Sequence, residues 1–414
     1  MTVLSRRVGI AVFLAFAFAY FFSALIRAIT ATLSPTLTPE FGLNARDLGL
    51  LAGGYFLGFA ATQLPLGALL DRHGPKRVIL WFLSVAVVGC VAFSMATSFA
   101  GLLAARVLCG VGVSACLMAP LTGYRRWFDA TTQLRTNSWM LMSGSLGMVA
   151  STLPVQWLMP LVGWRALFVG LAALVLLAMA MIAWRVPRWD VATPDPLSAS
   201  VKPGSYAEVW RHPYFRKMAP VGFFCYGGLV AMQSLWAVPW MTRVAGYTAL
   251  EAATGLFWIN ICMLCSFWAW GMATPWLARH LWSAERLMVL GLPFSFVFLA
   301  TVIIADYAIL TWAAGFLALY CMACTFVSLA QPAVGMAFPA ALAGRALSAY
   351  NLVIFAGVFV IQWGIGLLID GFKALGFSEL QAFQAAFAVF LAGSVASYVH
   401  FLISKSHNPD TAAP

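Results

Sequence analysis

Between two long apolar runs the chain reads Gly67-Ala68-Leu69-Leu70-Asp71-Arg72-His73-Gly74-Pro75-Lys76-Arg77. No charged residue occurs from Leu48 to Leu70, nor from Val78 to Ala105. Each flank is therefore long enough to cross a bilayer, which takes ~20 apolar residues as a helix. The charges and the Gly74-Pro75 pair between them mark a polar elbow at a membrane surface, since Gly and Pro punctuate helices.

The same alternation of apolar runs and charged or Pro/Gly-containing breaks extends along the chain. It predicts twelve spans at roughly 8–34, 46–70, 77–98, 101–123, 137–160, 165–185, 218–242, 249–273, 286–305, 307–333, 345–369 and 380–403. Composition agrees: of 414 residues, 63% are hydrophobic and only 9% charged, against roughly 25% charged in an average soluble domain. So few charges cannot coat the surfaces of a soluble chain of this length, which excludes a soluble enzyme. The net charge of +11 does not point to nucleic acid, because orientation accounts for it. With both termini cytoplasmic, 18 Lys and Arg fall on inner segments, four (Arg46, Arg165, Arg243 and Lys373) on outer segments, and two, Arg27 and Arg106, within spans. That is the positive-inside pattern. The first run, preceded by Arg6 and Arg7, is too long for a signal peptide and is expected to be an uncleaved first helix.

The longest polar stretch, Val186 to Lys217, carries Pro187, Pro194, Pro196, Pro203 and Pro213 and reads as a connector. Its second half mixes Tyr206, Trp210, Tyr214 and Phe215 with Arg211, Arg216 and Lys217, which suits either a plain linker or a segment lying on the inner membrane surface. The connector divides six spans from six, giving a bundle over 1–185, a linker over 186–217 and a second bundle over 218–414. A constant offset of 204 residues pairs Pro35 with Pro239, Thr38 with Thr242, Gly42 with Gly246, Ala45 with Ala249, Asp47 with Glu251 and Gly67 with Gly271. The halves are expected to be copies of one unit, an arrangement found in transporters.

The elbow resembles the signature that the major facilitator superfamily carries between its second and third helices. Gly67, Asp71, Arg72, Gly74 and Lys76 match it, and Pro75 departs from it. The resemblance implies that these residues gate the cytoplasmic side, with Asp71 and Arg72 latching the two halves; the second-half copy has Pro275 where Asp71 would align. Arg106-Val-Leu-Cys-Gly110-Val-Gly112 is similar to the fourth-helix pattern of that superfamily, and Gly163-Trp164-Arg165 to its turn entering the sixth. The fold implied is all-α and polytopic, with twelve transmembrane helices in two pseudo-symmetric six-helix bundles. The stretch from Tyr20 through Arg27 to Gln63 and Gly67 resembles bacterial branches that move organic anions and small metabolites. Span five has a lone Pro154 in place of the Gly-Pro dipeptide of the proton-driven drug exporters.

All thirteen acidic residues fall outside the spans or at their ends. Asp47 and Glu251 are expected to cap outer helix starts, and His400 to be interfacial. Arg27 and Arg106 remain embedded, each about 9 Å outward of the middle of its span at ~1.5 Å per residue. An Arg near the bilayer centre costs ~2.5–3.5 kcal/mol on insertion scales, so it needs protein, water or a partner. Arg27 either binds a carboxylate of the substrate, for which a guanidinium is suited, or is tied to helix carbonyls. For Arg106 the tie is the preferred reading, with substrate contact kept as a candidate role. In the superfamily, helices one, four, seven and ten line the cavity. The further candidates for substrate contact are accordingly Tyr20 and Thr30, then Tyr226, Gln233 and Trp236, then Thr325 and Ser328, with Asn351 and Gln362 in span eleven and Gln63 in span two; the other reading of these amides and hydroxyls is that they tie helices together. Trp236, beside Gln233, is a candidate for stacking on a planar ligand. The eight cysteines include two Cys-x-x-Cys pairs, Cys262/Cys265 and Cys321/Cys324. Helical periodicity explains these, so neither a metal nor another cofactor is expected.

The expected function is a secondary active transporter of the inner membrane of a bacterium. It would take up a small organic anion or polar metabolite by alternating access, acting as a monomer and coupled to a proton or a counter-anion. Proton-driven efflux of an amphipathic compound or drug is the alternative, and a non-transporting sensor on the same fold a remote one.

Overall fold

The structure is a computed structural model that describes residues 4–187, 205–280, 282–304 and 310–404. The linker residues Asp190, Pro194, Asp195, Pro196, Lys202 and Pro203, together with Asp306, Lys405 and Asp410, lie outside them. The described chain is helical throughout: α1 Arg6–Phe41, α2 Ala45–Ala61, α3 Gln63–Met95, α4 Phe99–Trp127, α5 Ala130–Ala150, α6 Leu153–Arg185, α7 Tyr206–Arg211, α8 Pro213–Val244, α9 Ala249–Arg279, α10 Ala284–Ile303, α11 Ala313–Met336, α12 Ala340–Ala374 and α13 Glu379–Ile403.

Ten of these are long and apolar enough to cross a membrane. The second and fifth predicted spans are each divided between two helices. Span two runs from α2 into the start of α3, which breaks at Gly74 (φ 75°, ψ 163°). Span five runs from α5 into the start of α6, which breaks at Gly163 (φ 73°, ψ 162°). Both residues sit where a side chain is disfavoured and glycine is not. After Gly163, Trp164 packs edge-on against Phe93, 5.6 Å between ring centroids.

Contacts divide the chain into two compact units, Met1–Leu33 with Gly54–Lys202, and Ser34–Gly53 with Pro203–Pro414. In the first, helices approach through glycines, as expected where lipid supplies no hydrophobic drive and packing must come from close backbone contact. A Cβ at Gly147 of α5 would collide with the Phe21 carbonyl of α1, and one at Gly110 of α4 with the Tyr55 carbonyl of α2. Large apolar side chains such as Leu161, Trp184 and Ile304 point outward, which in a bilayer is the ordinary exterior.

The internal repeat has a structural expression. Gly42 and Gly246, paired by the 204-residue offset, both take positive φ, 61° and 72°. The helices that follow start the same way. The Asp47 carboxylate accepts from the Asn44 N–H while the Asn44 side chain accepts from the Asp47 N–H, and Glu251 and Thr248 make the equivalent exchange. Both acids are therefore helix caps, as their positions suggested.

The segment after the linker is docked on the second unit through one apolar face. Ser205 and Glu208 form a reciprocal capping box at the start of α7, and Val209, Tyr214 and Phe215 are buried in a cluster with Met218, Met288 and Tyr350. Lys217 ion-pairs with Glu285 at 2.6 Å and lies over the Phe401 ring. An unpaired buried carboxylate costs several kcal/mol, more than a six-residue helix can offset. Val209→Asp should therefore undock α7, and limited trypsinolysis should show faster cleavage after the exposed Arg211; unchanged protection would contradict the docking.

Candidate functional site

In the first unit the structure brings together Arg27 and Tyr20 of α1, Tyr55 of α2 and Arg106 of α4. Arg106 is fully buried. Its Nη1 donates to the Ile26 carbonyl at 2.8 Å and its Nη2 to the Arg27 carbonyl at 3.4 Å, and its guanidinium lies 5.1 Å from the centroid of the Tyr55 ring. The side chain thus ties α4 to the backbone of α1 at the turn from which Arg27 projects. The carbonyl tie expected for Arg106 is what the geometry shows.

Arg27 is placed differently. It is half-buried, its Nη2 makes a 3.5 Å contact with the Met148 sulfur, and its buried Nε has no hydrogen-bond partner. A thioether is a weak acceptor, so the guanidinium is poorly satisfied. Tyr20 is buried two helical turns before it on the same face of α1. The Tyr55 hydroxyl is buried without a partner, and its ring lies against the Arg106 guanidinium. Among the described residues no carboxylate pairs with either arginine. Thr30, one helical turn from Arg27, is buried with its hydroxyl unpaired. The result is two cations with Tyr20, Tyr55 and Thr30 near them, four unpartnered polar atoms (Arg27 Nε, Arg106 Nε, Tyr55 Oη and Thr30 Oγ1) and, among the described residues, no carboxylate paired with either cation.

Tyr55 was absent from the sequence-derived candidates. Its signal was a lone phenol in the glycine-rich run Ala52-Gly53-Gly54-Tyr55 of an otherwise apolar span, where a hydroxyl must find a partner.

In the second unit most candidates are bonded to their neighbours. Gln233 donates to Asn260 at 2.7 Å, and Asn351 accepts from Gln331 at 2.7 Å. Thr325 accepts from the Trp270 indole at 3.0 Å and donates to the Met322 carbonyl. Trp236 does not offer a stacking face: it is fully buried, its Nε1 donates to the Gln362 carbonyl at 3.1 Å, and Phe383 meets it edge-on. Tyr226 is half-buried beside the cluster around Tyr350. Gln63, back in the first unit, donates to the Phe59 carbonyl of its own span at 3.2 Å.

At the elbow, Asp71 and Arg72 are exposed, and Lys76 donates to the Val186 carbonyl at 2.7 Å. His400 is exposed, near the Arg216 carbonyl. Cys321 and Cys324 are buried, while Cys262 and Cys265 are not. Among the described residues, no group of three His, Cys, Asp or Glu side chains is placed to hold a metal ion.

The sequence profile of the Major Facilitator Superfamily matches residues 16–362. The chain belongs to the major facilitator superfamily. That superfamily is one of secondary transporters. This chain is 30% identical over 215 residues to the inner membrane transport protein YajR of Escherichia coli, a match covering 51% of this chain and 45% of that one. It is 26% identical over 163 residues to a probable L-galactonate transporter of the same organism, covering 37% and 35%. It is 25% identical over 252 residues to the probable sulfoacetate transporter SauU of Cupriavidus necator, covering 56% and 57%. The chain thus spans between about a third and rather more than half of the length of the curated relatives it matches. A solved structure, that of a bacterial homologue of the human lysosomal transporter Spinster in an inward-facing and unoccupied conformation, shares the fold at a TM-score of 0.77. Identity to it is 16%, and the match covers 97% of this chain and 98% of that one.

Proposed function

We propose that the carrier takes up a small organic anion, a carboxylate, across the inner membrane of a bacterium, with both termini in the cytoplasm. Two six-helix bundles, 1–185 and 218–414, joined by the linker 186–217, work by alternating access in a single chain. The observation that carries the reading is Arg27: a half-buried guanidinium in a membrane span, with a partnerless Nε and, among the described residues, no carboxylate paired with it. A carboxylate would satisfy two of its N–H groups at once. Tyr20 and Tyr55 would supply hydroxyl donors to the same oxygens, and Arg106 would hold the turn that aims Arg27. Two of the matched relatives are named for carrying L-galactonate and sulfoacetate, both of which are organic anions. With no acid among the embedded groups, coupling falls to a proton carried with the substrate or to exchange against a second anion.

The test is counterflow in proteoliposomes loaded with a panel of carboxylates, including a sugar acid, an aromatic acid and a sulfonated acid. At least one internal carboxylate should accelerate entry of its labelled form several-fold over empty liposomes. Stimulation by neutral or cationic amphipathic compounds alone would overturn the reading and leave efflux in its place.

A further inference from the structure

The tip of the first hairpin, Ser34–Gly53, clusters with the second unit although α1 and α2 continue into the first. What holds it there is specific. The N-terminus of α2 presents unpaired N–H groups and a partial positive charge, as every helix start does. The Asn44/Asp47 exchange satisfies one of them. The next two are satisfied by Asp370, near the end of α12: its Oδ1 accepts from the Ala45 N–H at 3.2 Å and its Oδ2 from the Arg46 N–H at 2.7 Å. The backbones meet around this contact. A Cβ at Gly366 would strike the Ala45 carbonyl, and one at Gly49 the Gln362 carbonyl. Beside it, Arg243 Nη2 donates to Thr38 Oγ1 at 3.3 Å, and Nη1 lies 3.9 Å from Glu379. The repeat-related residues Pro35 and Pro239, and Thr38 and Thr242, line a shared cavity of about 200 Å³.

We propose that Asp370 is a positioning residue of the transport cycle, clasping the start of α2 to close the carrier on its outer face and letting go when that face opens. A cap supplied by a helix's own neighbour persists through any movement. A cap supplied from α12 across 324 positions of sequence lasts only while the two segments touch, so its loss and gain track the closure. Asp370, from α12, meets the start of the span whose other end carries Asp71, and the superfamily pattern assigns only Asp71 a latching role. The inference rests on the orientation proposed above for calling this face the outer one.

The experiment labels Ser34→Cys, a site 3% exposed in the lining of that cavity, with a membrane-impermeant maleimide in intact cells and in inverted vesicles. The protein bearing only its native cysteines is the blank. Asp370→Asn, which keeps size but loses the charge, should raise the labelling rate from outside roughly tenfold. Gly366→Ala, which obstructs the same approach with Asp370 intact, should raise it too. If Asp370→Asn does not accumulate in the membrane, Asp370→Ser takes its place. Unchanged labelling in the charge variants overturns the proposal, whether or not Gly366→Ala responds, because the carboxylate would then be an ordinary cap. A rise seen only in inverted vesicles would overturn the orientation and with it the outer placement, while leaving the Arg27 reading intact.

Discussion

Arg27→Gln is expected to lower initial carboxylate uptake by about 100-fold while the protein still accumulates in the membrane. Truncating one side of a buried, hydrogen-bonded charge pair costs ~2–5 kcal/mol, and each 1.4 kcal/mol is a factor of ten. The fold should not notice the change, because the side chain gives its neighbours little beyond the 3.5 Å contact with the Met148 sulfur. Arg27→Lys should recover only part of the loss, since an ammonium is a point charge and cannot present two parallel N–H groups to a carboxylate. The readouts are uptake in proteoliposomes and a ligand-dependent thermal shift on detergent-purified protein, which reports binding without requiring turnover. The variant should lose both. Unaltered uptake kinetics would remove Arg27 from the site.

Arg106→Ala is expected to fail in a different way. Its side chain is fully enclosed, binds two carbonyls of α1 and supports the Tyr55 ring. Truncation leaves a cavity and unties α4 from α1, a loss of about 2–4 kcal/mol by the usual cost of emptying a large buried site. Lower accumulation and a lower melting temperature should therefore accompany reduced transport. The fraction that folds should still show a thermal shift with substrate, because Arg27 remains. Loss of that shift at an unchanged melting temperature would mean that Arg106 touches the substrate directly.

The two arginines show what was legible in the sequence. That both lie inside spans, with no embedded acid to meet them, follows from position alone, as do the repeat glycines Gly42 and Gly246 and the caps at Asp47 and Glu251. That Arg106 is spent on carbonyls while Arg27 is not depends on which helix faces which, and linear spacing does not encode it. Tyr55 escaped for the same reason: its hydroxyl gains meaning only once α4 brings Arg106 beneath its ring. Trp236 is a candidate by its span and its neighbour Gln233, and neither indicates which side chains enclose its ring. Its neighbourhood in α8 includes wide turns over Gly222–Tyr226, Met232–Trp236 and Trp240–Val244, each rotating later residues away from where a 3.6-residue period would put them. The rotation carries Trp236 to Gln362 and Phe383 and leaves it no open face.

Those wide turns also set the length of α8. Each holds one residue more than an α-turn does. Were it to tighten, that residue would rejoin the axial rise and extend the helix by about 1.5 Å. Three such turns in one span leave α8 roughly 4–5 Å shorter than a regular α-helix of the same residues would be.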